Sequence, residues 1–190
     1  MKVIKDIDSF IKDNNITHLF IDIDGVIFAS CDAIIQILNE RYGGNFDGSD
    51  VTSWNFQCCY PNMTSEEIED TFNDPKFFDI VKPIDGALEF MDRYRDKIIL
   101  VTKANIENYA HKRKWFDDRG FNIPMIALPL NVSKGFINMD NIDEYSIFID
   151  DSTQNLIDSN ADYKVQFREF NDQKEREWQK GWDGLVMYQW

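Results

Sequence analysis

The run Leu19-Phe20-Ile21-Asp22-Ile23-Asp24-Gly25 closes an apolar stretch with two carboxylates two residues apart. Alternation along an extended strand sends both acids the same way, and a glycine directly after them permits a sharp turn that leaves them at the strand's carboxyl end. Two acids so placed are equipped to hold a hard cation and to attack a substrate. A hairpin with an Asp-Gly turn would use the same letters, so the rest of the chain must decide. Three further polar signals each follow an apolar run: Thr102 after Ile98-Ile99-Leu100-Val101, Lys134 a few residues after Ile126-Ala127-Leu128, and Asp150-Asp151 after Ile147-Phe148-Ile149. Taken singly, Thr102 reads as an ordinary β-branched residue and Lys134 as a solvated charge. The pair Asp150-Asp151 is harder to place that way, because adjacent carboxylates at a strand end cost stability unless a cation or hydrogen-bond donors offset them. Together, four acids, one hydroxyl and one ammonium supply what phosphoryl transfer requires: a nucleophile, a proton carrier, donors for the non-bridging oxygens and ligands for Mg²⁺.

The elements that must bring these groups together can be read from periodicity. Strand-like apolar runs at 17–23, 97–101, 123–128, 145–149 and 163–167 alternate with helical patterns, which implies α/β architecture with a Rossmann-like parallel sheet covered by helices on both faces. Residues 86–95 carry an apolar stripe, 105–119 close on Gly120, and Ser152 or Thr153 can cap a short helix through Leu156 and Ile157. Ligands of such sheets bind beyond the carboxyl ends of the strands, where all six polar residues fall. Alternation fails only between Ala29 and Pro83, where glycines and prolines separate short helical pieces at 32–40 and 64–72. The expected organisation is therefore a core of residues 1–28 and 84–190, with a small, mostly helical cap at 29–83 inserted after the first strand.

Composition narrows the function classes. The chain has 190 residues, 43% hydrophobic and 14% aromatic, enough for one sizeable core, and a formal net charge of −14. That charge disfavours long nucleic acid or an anionic membrane as partner, and an anionic small substrate would need a cation as intermediary. No apolar run approaches the roughly 20 residues that span a bilayer, and the start lacks a signal-like segment, so a cytoplasmic protein is expected. Cys31, Cys58 and Cys59 are odd in number and lack CxxC spacing, which suggests reduced, structural thiols.

Asp22-x-Asp24-Gly25-Val26, the strand ending in Thr102, the loop Lys134 and the strand ending in Asp150-Asp151 resemble the four motifs of the haloacid dehalogenase superfamily. Within it, Phe77-Phe78, Lys82-Pro83-Ile84-Asp85-Gly86-Ala87-Leu88 and Lys112-Arg113-Lys114-Trp115 resemble the 5'(3')-deoxyribonucleotidases. The resemblance implies Asp22 as a nucleophile that forms an aspartyl-phosphate, Asp24 as general acid and then base, Thr102 and Lys134 as phosphate holders, and Asp150 as a Mg²⁺ ligand. Asp22 and the backbone carbonyl of Asp24 would complete the metal's protein ligands, with Asp151 supporting or binding a metal water. Asp24 favours phosphomonoester hydrolysis over dehalogenation, which needs no proton donor, and over the superfamily's ion pumps, which carry threonine there. One departure is that Lys103 and Ala104 follow Thr102 where these nucleotidases usually have serine and proline. Lys103 would add a phosphate donor, and points to a different or more highly charged ester. A signalling receiver domain uses similar residues, but with its acidic pair early and its phosphorylated Asp later.

The implied substrate is a nucleoside monophosphate; alternatives are another small phosphate ester, a nucleic-acid 3'-phosphate end, or metal and phosphate binding without catalysis. The cap holds Tyr42, Phe46, Trp54, Phe56, Tyr60, Phe72, Phe77 and Phe78. Most of these rings are expected to form the cap's own core, with Trp54, Phe77 and Phe78 as candidate substrate contacts. Lys112-Arg113-Lys114 reads as a solvated helix face. An amphipathic helix at 172–180 is expected to lay its tryptophans on the sheet, with a homo-oligomer contact as the other use of that segment.

Overall fold

A strand buried on both faces needs a continuous apolar run, and Leu19-Phe20-Ile21 within Ile16–Asp22 (β2) and Ile147-Phe148-Ile149 within Tyr145–Asp150 (β5) meet that demand at the centre of the sheet. In the computed structural model, which describes residues 1–140, 144–172 and 174–190, seven parallel strands run in the order β1-β7-β6-β5-β2-β3-β4. The others are Lys2–Val3 (β1), Ile98–Lys103 (β3), Met125–Leu128 (β4), Tyr163–Phe167 (β6) and Leu185–Met187 (β7). Alternation divides the core: Leu19, Ile21, Ile147 and Ile149 join one hydrophobic cluster, while Phe20, Phe148, Val101 and Leu156 join another.

Register sets the site. Ile21 pairs with Ile149 on β5, and Asp22 pairs with Val101 on β3, so Asp22 and Asp150 end neighbouring strands with Thr102, one residue from the end of β3, beside them at one edge.

The helices are Ile7–Asp13 (α1), Ser30–Tyr42 (α2), Ser65–Asn73 (α3), Pro75–Ile80 (α4), Ala87–Arg93 (α5), Ile106–Asp117 (α6) and Thr153–Asp158 (α7). Their boundaries follow local chemistry. Thr64 and Glu67 form a capping box on α3, and Asp74 caps α4, whose first residue is Pro75. Asn105 accepts from the Asn108 N–H at the start of α6. Between β2 and β3, α2 to α4 are joined by loops, with a 3₁₀ turn at Gly48–Asp50. Val51, Phe56, Met63, Ile68 and Phe77 of this stretch belong to the same cluster as Leu19 and Ile21, so this stretch and the sheet share one apolar core.

The C-terminal segment departs from expectation. Instead of a helix at 172–180, the described residues form only a 3₁₀ turn at Glu177–Gln179, followed by β7. Gly181 takes φ +76°, and Val186 and Met187 are fully buried as β7 inserts between β6 and β1. Within 172–180 the buried side chains among the described residues are the polar Arg176 and Gln179, so no apolar helical face forms there. Of the tryptophans, Trp190 packs on Phe90 and Phe167 at centroid distances of 4.5 and 5.4 Å, and its indole donates to the Val26 carbonyl at 2.8 Å. Trp178 instead meets Trp54 of the insertion at 6.1 Å. Among the described residues no helix is long and apolar enough to cross a membrane.

Candidate active site

Asp22 is the last residue of β2 and is 6% exposed. Its Oδ1 accepts from the Ile23 N–H at 2.8 Å and lies 2.7 Å from the Lys134 ammonium. Lys134 opens a 3₁₀ turn at Lys134–Phe136; Ser133 caps that turn and donates to Asp158 of α7 at 2.6 Å, which anchors the loop. The same ammonium lies 2.7 Å from Oδ2 of Asp150. Asp150, fully buried, also accepts from the Ser152 N–H at 2.8 Å and from Asn155 Nδ2 at 3.1 Å. Asn155 is a site neighbour that the sequence reading missed.

Asp24 stands beyond the strand, after buried Ile23, and takes different partners. Ser30 Oγ donates to it at 3.0 Å, and Lys112 of α6 forms an ion pair with it. Lys112 is 1% exposed, and its ammonium also donates to Thr102 Oγ1 at 2.8 Å. The reading of Lys112 as part of a solvated face is therefore corrected: Asn108, Lys112, Trp115 and Phe116 are the buried side of α6. Thr102, itself fully buried, supports Lys112 and does not line the cavity described below.

Gly25 has φ +71°, and a Cβ there would lie 2.6 Å from Asp151 Oδ2. A bare backbone is what lets Asp151 approach the turn. Oxygens of Asp22, Asp150 and Asp151 lie within 4.8 Å of one another, a spread one divalent cation can bridge. Burial, with repulsion from Asp150 and Asp24, pushes Asp22 up to about 7, although Lys134 offsets part of the effect. Asp151 is raised well above the usual carboxylate range, by burial first and then by Asp150 and Asp22. Burial pulls Lys134 down, but Asp150 and Asp22 outweigh it and hold the ammonium charged. Burial and mutual repulsion disfavour charge on these clustered carboxylates, and a bound cation would offset both, so the donor set of Asp22, Asp150 and Asp151 fits a hard divalent cation.

These groups open into a cavity of about 410 Å³. Asp22, Asp24, Lys103, Lys134 and Asp151 contribute polar lining, and Ile34, Trp54, Phe56, Phe72 and Trp178 apolar lining. Trp54, 55% exposed, stacks on Phe72 at 6.3 Å. Phe77 and Phe78 do not line the cavity: Phe77 is fully buried against Phe28 and Phe72, and Phe78 stacks on His111 at 4.9 Å. A larger open groove of about 610 Å³ lies at the opposite edge, near the amino ends of β2 and β3, away from every strand-end acid.

Comparison with known proteins bears on the family and the fold. The sequence pattern of the family described as 5' nucleotidase, deoxy (pyrimidine), cytosolic type C protein matches residues 14–183. No curated protein matches the chain significantly in sequence. Among solved structures, a haloacid dehalogenase-like family hydrolase from Streptococcus pneumoniae superposes with TM-score 0.60 at 10% identity, covering 92% of this chain and 94% of that one. A haloacid dehalogenase-superfamily hydrolase of subfamily IA from Geobacter sulfurreducens gives 0.52 at 16% identity, covering 81% and 88%. At such identities the likeness speaks for a shared haloacid dehalogenase-like fold.

Proposed function

The chain belongs to the 5' nucleotidase, deoxy (pyrimidine), cytosolic type C protein family, a phosphatase family, and from that premise we propose that it hydrolyses nucleoside monophosphates through an aspartyl-phosphate on Asp22. The observation that carries this reading is the division of labour between the two acids: Asp22 faces Lys134, while Asp24 is held separately by Lys112 and Ser30. Two carboxylates with different partners can take different roles.

In the first half-reaction a carboxylate oxygen of Asp22 attacks phosphorus and the ester P–O bond breaks, while Asp24 gives its proton to the departing oxygen. In the second, Asp24 takes a proton from water as that water attacks phosphorus, freeing phosphate and restoring Asp22. Lys134 balances charge on Asp22 during attack, and Lys112 with Ser30 keeps Asp24 aimed. Mg²⁺, for which Asp22, Asp150 and Asp151 would supply oxygens, contributes charge neutralisation at the phosphate when bound. Lys103 lines the cavity, which supports its reading as a further phosphate donor.

Residues 29–83 act as the cap over a core of 1–28 and 84–190, and bring Trp54, Phe56 and Phe72 to the cavity as a surface for a nucleobase. The family's description supports a pyrimidine deoxynucleotide as substrate and the cytosol as location. The test is phosphate release, with Mg²⁺ and with chelator, from a panel of 5'- and 3'-nucleotides, deoxynucleotides and sugar phosphates. Mg²⁺-dependent turnover of nucleoside monophosphates supports the assignment; turnover of other esters alone keeps the chemistry and removes the nucleotide.

A further inference from the structure

Asn108 lies one helical turn before Lys112 on the buried side of α6, and both residues line the cavity. It is 4% exposed. Its Nδ2 donates to the Phe72 carbonyl at 2.8 Å, which fixes the amide: the donor end is committed to the backbone of α3, and the acceptor end is turned away from it. That acceptor, Oδ1, is buried with no hydrogen-bond partner among the described residues. A buried amide oxygen without a donor is costly, and one retained in a residue that lines a cavity calls for a ligand that satisfies it when it packs against that residue. Phosphate oxygens cannot, because at a dianion they only accept. A neutral O–H or N–H can.

The position narrows which part of the substrate is involved. Along α6 the next residue on this face is Lys112, whose ammonium holds Asp24; across from Asn108 is Phe72, whose ring forms the aromatic wall with Trp54. Trp178, which lines the same cavity, carries the complementary orphan, a buried indole N–H without an acceptor among the described residues. A ligand bearing both a donor and an acceptor would satisfy both.

Resting on the nucleotidase reading, we propose that Asn108 is a specificity-determining residue whose Oδ1 accepts a hydrogen bond from a neutral donor on the nucleoside part of the substrate. The donor is a sugar hydroxyl or a base N–H, and the experiment separates the two. kcat/KM is measured for thymidine 5'-monophosphate, its 3'-deoxy analogue and its N3-methyl analogue, with wild type, Asn108→Leu and Asn108→Asp. Wild type is expected to favour the parent over one of the analogues by at least about tenfold, and the analogue rejected identifies the donor. Asn108→Leu should bring all three substrates within about twofold, whereas Asn108→Asp, which keeps an acceptor but loses the tie to Phe72, should retain the preference. A purely structural Asn108 would lower all three rates in parallel in Asn108→Leu, and that result overturns the proposal, as does a wild type indifferent to both analogues. If no nucleotide is hydrolysed while p-nitrophenyl phosphate is, the nucleotidase reading itself falls and takes this proposal with it.

Discussion

Lys112 bridges Asp24 and Thr102 from inside the protein: its ammonium lies 2.8 Å from Thr102 Oγ1, is paired with Asp24, and belongs to a side chain 1% exposed. A buried lysine with two partners is a fixed post, and the acid it holds cannot wander. Lys112→Met keeps the bulk and removes the charge, so kcat for nucleotide hydrolysis should drop by about 100-fold or more, in the range of a lost acid–base contribution. Steady-state kinetics beside a thermal melt checks this; an unchanged kcat in a folded variant would remove Lys112 from the mechanism.

Gly25 is constrained twice, by its φ of +71° and by Asp151 Oδ2 at 2.6 Å from any added Cβ. Gly25→Ala should cost about 1–2 kcal/mol of stability from the left-handed backbone. Displacing Asp151 should also raise the Mg²⁺ concentration needed for half-maximal activity by about tenfold or more. Activity titrated with Mg²⁺ separates the two effects, since a stability loss alone leaves the metal requirement where it was.

Much of this is legible in the sequence, for a physical reason. In a parallel sheet each strand ends at the same edge, so residues that close apolar runs meet there regardless of their distance in sequence. Asp22, Thr102, Asp150 and the loop Lys134 were found that way. Lys112 was not, because a basic triplet on a helix reads as solvated; the signal was its spacing from Asn108, Trp115 and Phe116, which share its face. The C-terminal strand was hidden for the opposite reason: Leu185–Met187 is too short to announce itself, and only the slot between β6 and β1 makes it a strand. Phe77 shows that aromatic density marks a core as readily as a binding surface.

Glu169 sets a pH dependence of stability. Burial pushes its carboxyl up to about 8, Asp32 adds repulsion, and Arg176 opposes them. Between its ordinary 4.5 and about 8 the folded state binds more proton than the unfolded one, so its contribution to stability is full below about 4.5 and is lost as pH rises through about 8. Glu169→Gln should therefore melt above wild type near pH 9, with the gain vanishing toward pH 5. Equal gains at both pH values would contradict the assignment.

Cys58 and Cys59 are neighbours of opposite character. The Cys58 thiol is exposed and drawn down to about 7: burial opposes ionisation, but donors from Ser53 and the Thr52 N–H, the latter at 3.2 Å, outweigh it. Cys59 is pushed up to about 12 by burial and by its contact with Cys58. Iodoacetamide should label Cys58 well before Cys59 or Cys31, with a rate that reaches half its plateau near pH 7. Mass spectrometry of the peptides reads the order; a rate that climbs only near pH 9 would show an ordinary thiol.

The central claim is that Asp22 carries the phosphoryl group and Asp24 governs its release. p-Nitrophenyl phosphate tests both at once, because its leaving group departs without a proton and the first step survives when Asp24 is replaced. Asp24→Asn is mixed with that ester and Mg²⁺, quenched within a turnover, treated with hydroxylamine and mapped by mass spectrometry. The account predicts a burst of p-nitrophenol, slow subsequent turnover and a hydroxamate on Asp22. A burst with the adduct on any other residue, or steady turnover with no trapped acyl phosphate, would contradict it.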